Sequence, residues 1–362
     1  MTELDLRETL QRHLEAVDVP PPPLGPVVAK GRRRHRRRRA VVGSTVTALL
    51  VAVAASGAAL VASNDEGRGV DESAYASLGP LDLSHGARAY ASPGEELHLA
   101  GRTFPYGDVD YLDTDAVATS YGVVFFDHGR PMLLGADGEV AALVDGPLDD
   151  PDGFHPTAKA DSVHPWVAYA TRRGITTTVT VHDLSTGRDV GSTKIDCGDC
   201  TDFVIEALDD GVIYLRIDQL TRSWDVATGE GKTVYDGGGR VVDVRGGVML
   251  YDGKPPADLG LTRVKAPADA TLTFDGKYVL DWSSRLRSTD GSPDLVLQQG
   301  PTKQYALGFW AIDSDGSVLV ARADGEYPHY LVYDCEVPSG ACEELGPLVT
   351  KGGDPMFIGV DM

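Results

Sequence analysis

Hydrophobic positions along the chain fall into three regimes. Residues 2–17, TELDLRETLQRHLEAV, set Leu6, Leu10, Leu14 and Val17 on one stripe at helical spacing. Thr2 stands at a capping position with Asp5 three residues on, so a short helix is expected here. Its stripe is too short to make a core by itself. Two readings stand: a peripheral helix on lipid or in water, or a docking helix for a cytoplasmic partner at residues 2–18. Pro20, Pro21, Pro22, Pro23 and Pro26 then form a stiff, extended linker. The second regime is an uncharged run of 23 residues from Ala40 to Ala62. As a helix it would reach about 34 Å, against roughly 30 Å of bilayer hydrocarbon.

Beyond a small, polar and acidic stretch at 63–79, the third regime holds to the end of the chain. Short β-rich runs recur between Asp-Gly, Thr-Gly and Gly-Gly turns: GVVFF at 122–126, TTTVTV at 176–181, GVIYLR at 211–216, GVMLY at 247–251, SVLVAR at 317–322. This pattern predicts an all-β domain. It also repeats. WVAYATRRGITTTVTVHDLSTGRDV is followed by GVIYLRIDQLTRSWDVATGEGKTV, with Asp183 and Asp225 separated by 42 residues. In each, a strand ends in an aromatic ring and Asp, then turns through a Thr-Gly pair at Gly187 or Gly229. Aligning one strand per copy sets anchors at Gly122, Trp166, Gly211, Gly247, Lys277 and Ser317, with spacings of 44, 45, 36, 30 and 40. Four-stranded blades of a β-propeller repeat at about 40–45 residues. Six anchors predict six blades, and residues 80–112 with the C-terminal PMFIGV would complete a seventh, so the expected count is six or seven.

The stretches VTVHDLSTGRDV and RSWDVATGEGKTV resemble the end of a WD40-type blade, where an aromatic-Asp pair such as Trp224-Asp225 closes a strand before the turn. The Gly-His dipeptide of that family is missing, so the resemblance is to WD40-like or TolB-like bacterial propellers. The whole layout of helix, Pro-rich linker, Arg run, Ala-rich span and exported β domain is similar to an actinobacterial arrangement. That resemblance implies a link to sigma-factor regulation for some of its members and assigns no residue a role.

Charge sharpens the topology. Residues 1–39 carry ten Lys/Arg against five Asp/Glu, and residues 63–362 carry 23 against 49. The overall −21 therefore joins a basic head to a strongly acidic body, and argues against nucleic acid as a partner. Seven arginines, Arg32, Arg33, Arg34, Arg36, Arg37, Arg38 and Arg39, abut the N-terminal end of the apolar run. A basic flank stays in the cytoplasm. The expected organisation is a cytoplasmic segment 1–39, a transmembrane signal anchor 40–62, a stalk 63–79 and an extracytoplasmic propeller 80–362. A cleaved signal peptide ending near Val61-Ala62-Ser63 is the alternative.

All four cysteines fall in the expected exterior, as two close pairs. Close pairs in an oxidising compartment read as disulfides. A four-residue loop at 337–340 would make Cys335 face Cys342 across a hairpin, within bridging range. Cys197 and Cys200 would close a much smaller ring; a redox motif and a shared zinc site are the alternatives there. No cofactor is expected, apart from Ca²⁺ at the acidic stretches 108–115 and 145–152, which lack the full calcium-loop pattern. Asp313-Ser314-Asp315-Gly316 reads as a hairpin turn. Neither GxSxG nor HExxH occurs, and the nine histidines are scattered, each expected on the surface or in a turn. The function expected is a non-catalytic binding or sensing module outside the membrane; a tethered propeller enzyme of lyase, lactonase or glycosidase type is the alternative.

Overall fold

The computed structural model describes residues 81–92, 96–105, 116–127, 129–144, 157–196, 203–266, 270–281, 285–298, 309–323, 329–350 and 354–359. All lie in the second of two units of the chain, Arg68–Met362. Among them no helix is long and apolar enough to cross a membrane. The expected helix at 2–17, span at 40–62 and Arg run at 32–39 lie outside the described residues.

Seven sheets form the domain. The first blade holds β1 (Tyr90–Ser92), β2 (Glu96–Leu99) and β3 (Arg102–Pro105), the second β4 (Val117–Thr119), β5 (Gly122–Asp127), β6 (Arg130–Gly135) and β7 (Val140–Ala142). The third holds β8 (Ala158–Ala160), β9 (Trp166–Arg173), β10 (Thr176–Asp183) and β11 (Arg188–Asp196), and the fourth β12 (Phe203–Asp209), β13 (Val212–Ile217), β14 (Leu220–Asp225) and β15 (Gly231–Asp236). The fifth has β16 (Gly239–Arg245), β17 (Val248–Gly253) and β18 (Thr262–Lys265), and the sixth β19 (Thr271–Leu272), β20 (Tyr278–Leu280), β21 (Arg285–Ser288) and β22 (Leu295–Val296). The seventh has β23 (Phe309–Ile312), β24 (Val318–Ala323), β25 (His329–Cys335) and β26 (Cys342–Val349). The final strand, β27 (Met356–Phe357), pairs with β1, so the two ends of the domain share a sheet. The open choice between six and seven blades thus resolves to seven, with the C-terminal strand in the predicted place. All six anchors stand at or just before the second strand of their sheets.

The first strands of successive sheets adjoin: β4 with β8, β8 with β12, β12 with β16, β16 with β19, and β23 with β27. They are the innermost strands of a ring. Its core is divided between neighbouring blades. In β5, Val123 and Phe125 pack in one cluster with Leu97 and Leu99 of the first blade. Val124 and Phe126 pack in another with Val167 and Tyr169 of the third. Both faces of each inner sheet are buried, so these strands read as continuous apolar runs rather than alternating ones.

The fifth blade departs from the pattern. It has three strands, and β18 pairs with β17 in parallel. After Gly253 the chain meets Pro255-Pro256, which offers no N–H for a hairpin ladder. It swings onto the fourth blade instead, where Ala257 N donates to Val234 O and Leu259 and Leu261 join the apolar cluster there. It then returns in the same direction as β17. The missing strand explains the shortest anchor spacing.

Candidate functional site

In the second to seventh blades the innermost strand turns into the second at one end of the ring, where these turns gather about its axis. One cavity of about 270 Å³ is lined there by turns of the second, third, sixth and seventh blades, including Tyr121, Val163, His164, Trp166, Phe274 and Ser314. A single cavity touching these four blades lies on the axis, at the mouth of the ring.

Turn chemistry makes the mouth rigid. Asp161 ends the strand β8 and accepts the N–H groups of Val163 (2.7 Å) and His164 (3.1 Å) on one oxygen. Its other oxygen accepts Gly211 N of the fourth blade at 2.9 Å. His164 stacks on Trp166 at 4.3 Å between ring centroids, and its Nε2 lies 3.1 Å from Asp210 Oδ1. Trp166 in turn lies against Gly211, where a Cβ would stand 3.1 Å from the indole and the φ of +76° would strain any side chain. Ser162 donates to Asp209 at 2.9 Å. Burial pushes the Asp209 carboxyl above the usual range, opposed by that hydrogen bond and by Arg245.

Across the ring, Asp313 is fully buried. Its Oδ1 accepts Ser314 N at 2.6 Å and Ala87 N at 3.0 Å, and its Oδ2 accepts Arg88 N at 2.7 Å. The predicted hairpin turn is present, with Asp313 N donating to Ser317 O. Its side chain also fastens the seventh blade to the first. Burial raises the Asp313 carboxyl to about 6, against the three N–H groups that favour the charge. Arg88, at φ 44°, is held by ion pairs to Asp334 at 2.8 Å and Glu343 at 2.7 Å.

Other junctions use the same device. Asp243 accepts Leu272 N at 2.7 Å, from the sixth blade. Glu206 is the extra residue of a bulge in β12 and accepts Val241 N of the fifth blade at 3.2 Å. Burial pushes Glu206 up to about 7, with Arg216 at 2.9 Å pulling the other way. Nothing in the hydropathy pattern marks these acids. Their common signal is position: each closes or interrupts an innermost strand.

The residues singled out from sequence are spread over the ring. Asp183 Oδ1 accepts Ser185 N and Thr186 N, and Asp225 Oδ1 accepts Thr228 N. Gly187 (φ 64°) and Gly229 (φ 74°) donate back to Asp183 and Asp225 oxygens. Trp224 and Gly229 line a groove of about 520 Å³ between the third and fourth blades, with Ile195, Leu215, Ile217 and Arg222. His182, expected in a turn or on the surface, is buried, with Nδ1 2.8 Å from Asp189; it occupies the site in β10 that Trp224 occupies in β14. Cys335 and Cys342 form the predicted bridge, with Cα atoms 4.0 Å apart, and Glu336 N donates to Ala341 O as the hairpin requires. Cys197, Cys200 and the acidic stretches 108–115 and 145–152 lie outside the described residues. Among the described residues no group of three or more His, Cys, Asp or Glu is placed to hold a metal ion.

No protein-family model matches the chain, and no curated protein sequence does. Among solved structures it is similar to TolB from Acinetobacter baumannii, with 14% identity over 69% of this chain and 66% of that one, at a TM-score of 0.36. It is also similar to the protein lmo1340 from Listeria monocytogenes EGD-e (9% identity, 73% and 70% of the chains, TM-score 0.30). A third is the AfRom2 CNH domain (9% identity, 69% and 94%, TM-score 0.32). The propeller assignment rests on the seven-sheet topology and the shared first and last sheet.

Proposed function

We propose that this chain is a membrane-anchored, non-catalytic binding module whose recognition surface is the mouth of the propeller. The observation that carries the reading is the exposure of apolar side chains there on a rigid frame. Val163 is 61% exposed and Tyr121 37% exposed, beside the His164–Trp166 stack. Exposed apolar surface gathered in one place favours a protein partner. The acids nearest the cavity are committed elsewhere: Asp161 and Asp313 each accept three N–H groups. Such acids hold turns rather than move protons. The uncharged run 40–62 with its arginine flank supports an anchor with the N-terminus in the cytoplasm. The helix expected at 2–17 supports reporting of outside binding to a cytoplasmic partner of the sigma-factor-regulating kind.

A photo-crosslinking amino acid placed at position 163, and separately at 175 in the β9–β10 turn, tests the surface in living cells. A discrete protein adduct from 163 and none from 175 is the expected result. Equal labelling at both positions, or none at 163, removes the mouth as the recognition surface. Deleting residues 2–18 tests the signalling part: if it leaves unchanged every phenotype of a full deletion, the cytoplasmic segment reports nothing.

A further inference from the structure

The turn at 313–316 borders two cavities. Ser314 lines the mouth, and Asp315 lines a second pocket of about 440 Å³ at the junction of the first and seventh blades. Asp334, Glu336 and Glu343 of the seventh blade line that pocket too, with His85 and Arg88 from the chain leading into β1. Four carboxylates against one guanidinium leave it strongly negative, and a recess of one sign attracts the opposite charge. Each acid keeps one oxygen in hand. Arg88 donates to Asp334 Oδ2 at 2.8 Å and to Glu343 Oε2 at 2.7 Å, Ser317 N to Asp315 Oδ1 at 2.9 Å, and Ser339 Oγ to Glu336 Oε2 at 2.8 Å. A further observation points to a ligand. Asp334 and Ser317 both line the pocket, both are more than nine-tenths buried, and Asp334 Oδ1 and Ser317 Oγ have no hydrogen-bond partner. Native folds rarely leave such atoms unpaired, and a bound ion or water is a recognised reason. Burial pushes the Asp334 carboxyl above the usual range, opposed by Ser317 and Arg88 and reinforced by Asp315.

Geometry and size select the class of cation. The acids do not converge on a point: among the described residues no three His, Cys, Asp or Glu are placed to hold a metal ion. The volume falls within the roughly 300–1,000 Å³ of pockets that enclose small organic ligands. Carboxylates spread over such a volume suit a ligand whose own charges are spread. Ala341 and Cys342 add an apolar stretch of wall for a methylene chain. We infer that this pocket binds a small organic cation with two or more ammonium groups, of the aliphatic diamine or polyamine class, held by the remaining oxygens of Asp315, Asp334, Glu336 and Glu343. Such a ligand bridges the same two blades that Asp313 fastens. The site is separate from the mouth, and the crosslinking result at position 163 does not bear on it.

The test is titration calorimetry on the full-length protein in a neutral detergent, with spermidine, n-butylamine and calcium chloride at matched ionic strength. Spermidine is expected to fill a single site at least about tenfold more tightly than n-butylamine, since each added ammonium makes a further charge-assisted hydrogen bond. It should also raise Tm, because the ligand binds the folded state. The double variant Asp315→Asn, Glu336→Gln should weaken spermidine about fivefold or more by removing charge from the pocket. Both amides keep the local hydrogen bonds, since an amide oxygen also accepts Ser317 N or Ser339 Oγ, so Tm without ligand should stay at the wild-type value. If that Tm falls, Glu336→Gln alone, at an exposed position, makes the same comparison. Equal affinity for spermidine and n-butylamine, or wild-type affinity in the variant, overturns the site. Displacement of spermidine by an equal concentration of calcium overturns the organic class in favour of a metal ion. A Gly-Lys-Gly-Lys-Gly peptide that binds more tightly than spermidine overturns the small molecule in favour of a protein segment.

Discussion

Replacing Asp313 by Ala cuts the fastening between the last and first blades. Ala87 N keeps a second acceptor, Ser314 Oγ at 3.0 Å, so the donors stranded by the change are Arg88 N and Ser314 N. An unsatisfied buried donor costs about 1–3 kcal/mol, which puts the variant roughly 2–5 kcal/mol down. A domain of this size loses about 2–3 °C in Tm per kcal/mol, so a fall of about 4–15 °C is expected. The cost depends on pH with a definite sign. Asp313 is raised to about 6 from 3.8, so its stabilising contribution is complete at low pH and declines as pH rises through 6. Asp313→Ala should therefore cost more at pH 5 than at pH 8. Thermal unfolding of the full-length protein by circular dichroism measures both. Hydrogen exchange localises the effect, which should be fastest over residues 87–92 and 354–359. A Tm within about 2 °C of wild type at both pH values would refute the latch.

Three further outcomes are expected. Glu206 is raised to about 7 from 4.5, so ionisation costs stability above pH 7 and the cost vanishes as pH falls towards 4.5; Glu206→Gln should flatten the rise in Tm expected of the wild type between pH 8 and pH 5, and an unchanged slope would place the titration elsewhere. Removing the Cys335–Cys342 bridge with a double Ser variant should cost about 2–3 kcal/mol by the loop-entropy estimate for a short ring, read as a lower urea midpoint at constant m-value. Gly211→Val places a branched side chain at φ +76° against Trp166, so it should lower Tm and displace the indole. A shifted tryptophan emission maximum reports the displacement, and an unaltered spectrum with native Tm contradicts the packing described.

Short β-rich runs, turn glycines and the recurring spacing are local features, and they were enough to predict an all-β ring with anchors at Gly122, Trp166, Gly211, Gly247, Lys277 and Ser317. The Cys335–Cys342 hairpin was legible for the same reason, since a loop of known length sets which residues face each other. Blade number, the parallel strand β18 and the mouth were not. Pro255-Pro256 announces that a hairpin fails, but only packing against Val234 and Tyr235 decides where the chain goes instead. Asp161, Asp209 and Asp313 look like ordinary turn acids along the chain. What separates them from Asp183 or Asp225 is a donor on a neighbouring blade: Gly211 N for Asp161, 50 residues away, Ser162 Oγ for Asp209, 47 away, and Ala87 N for Asp313, 226 away. Turn propensity is a property of a few neighbouring residues. Burial and the meeting of Tyr121, Trp166 and Phe274 depend on closure of the ring, which brings together side chains that sequence distance keeps apart.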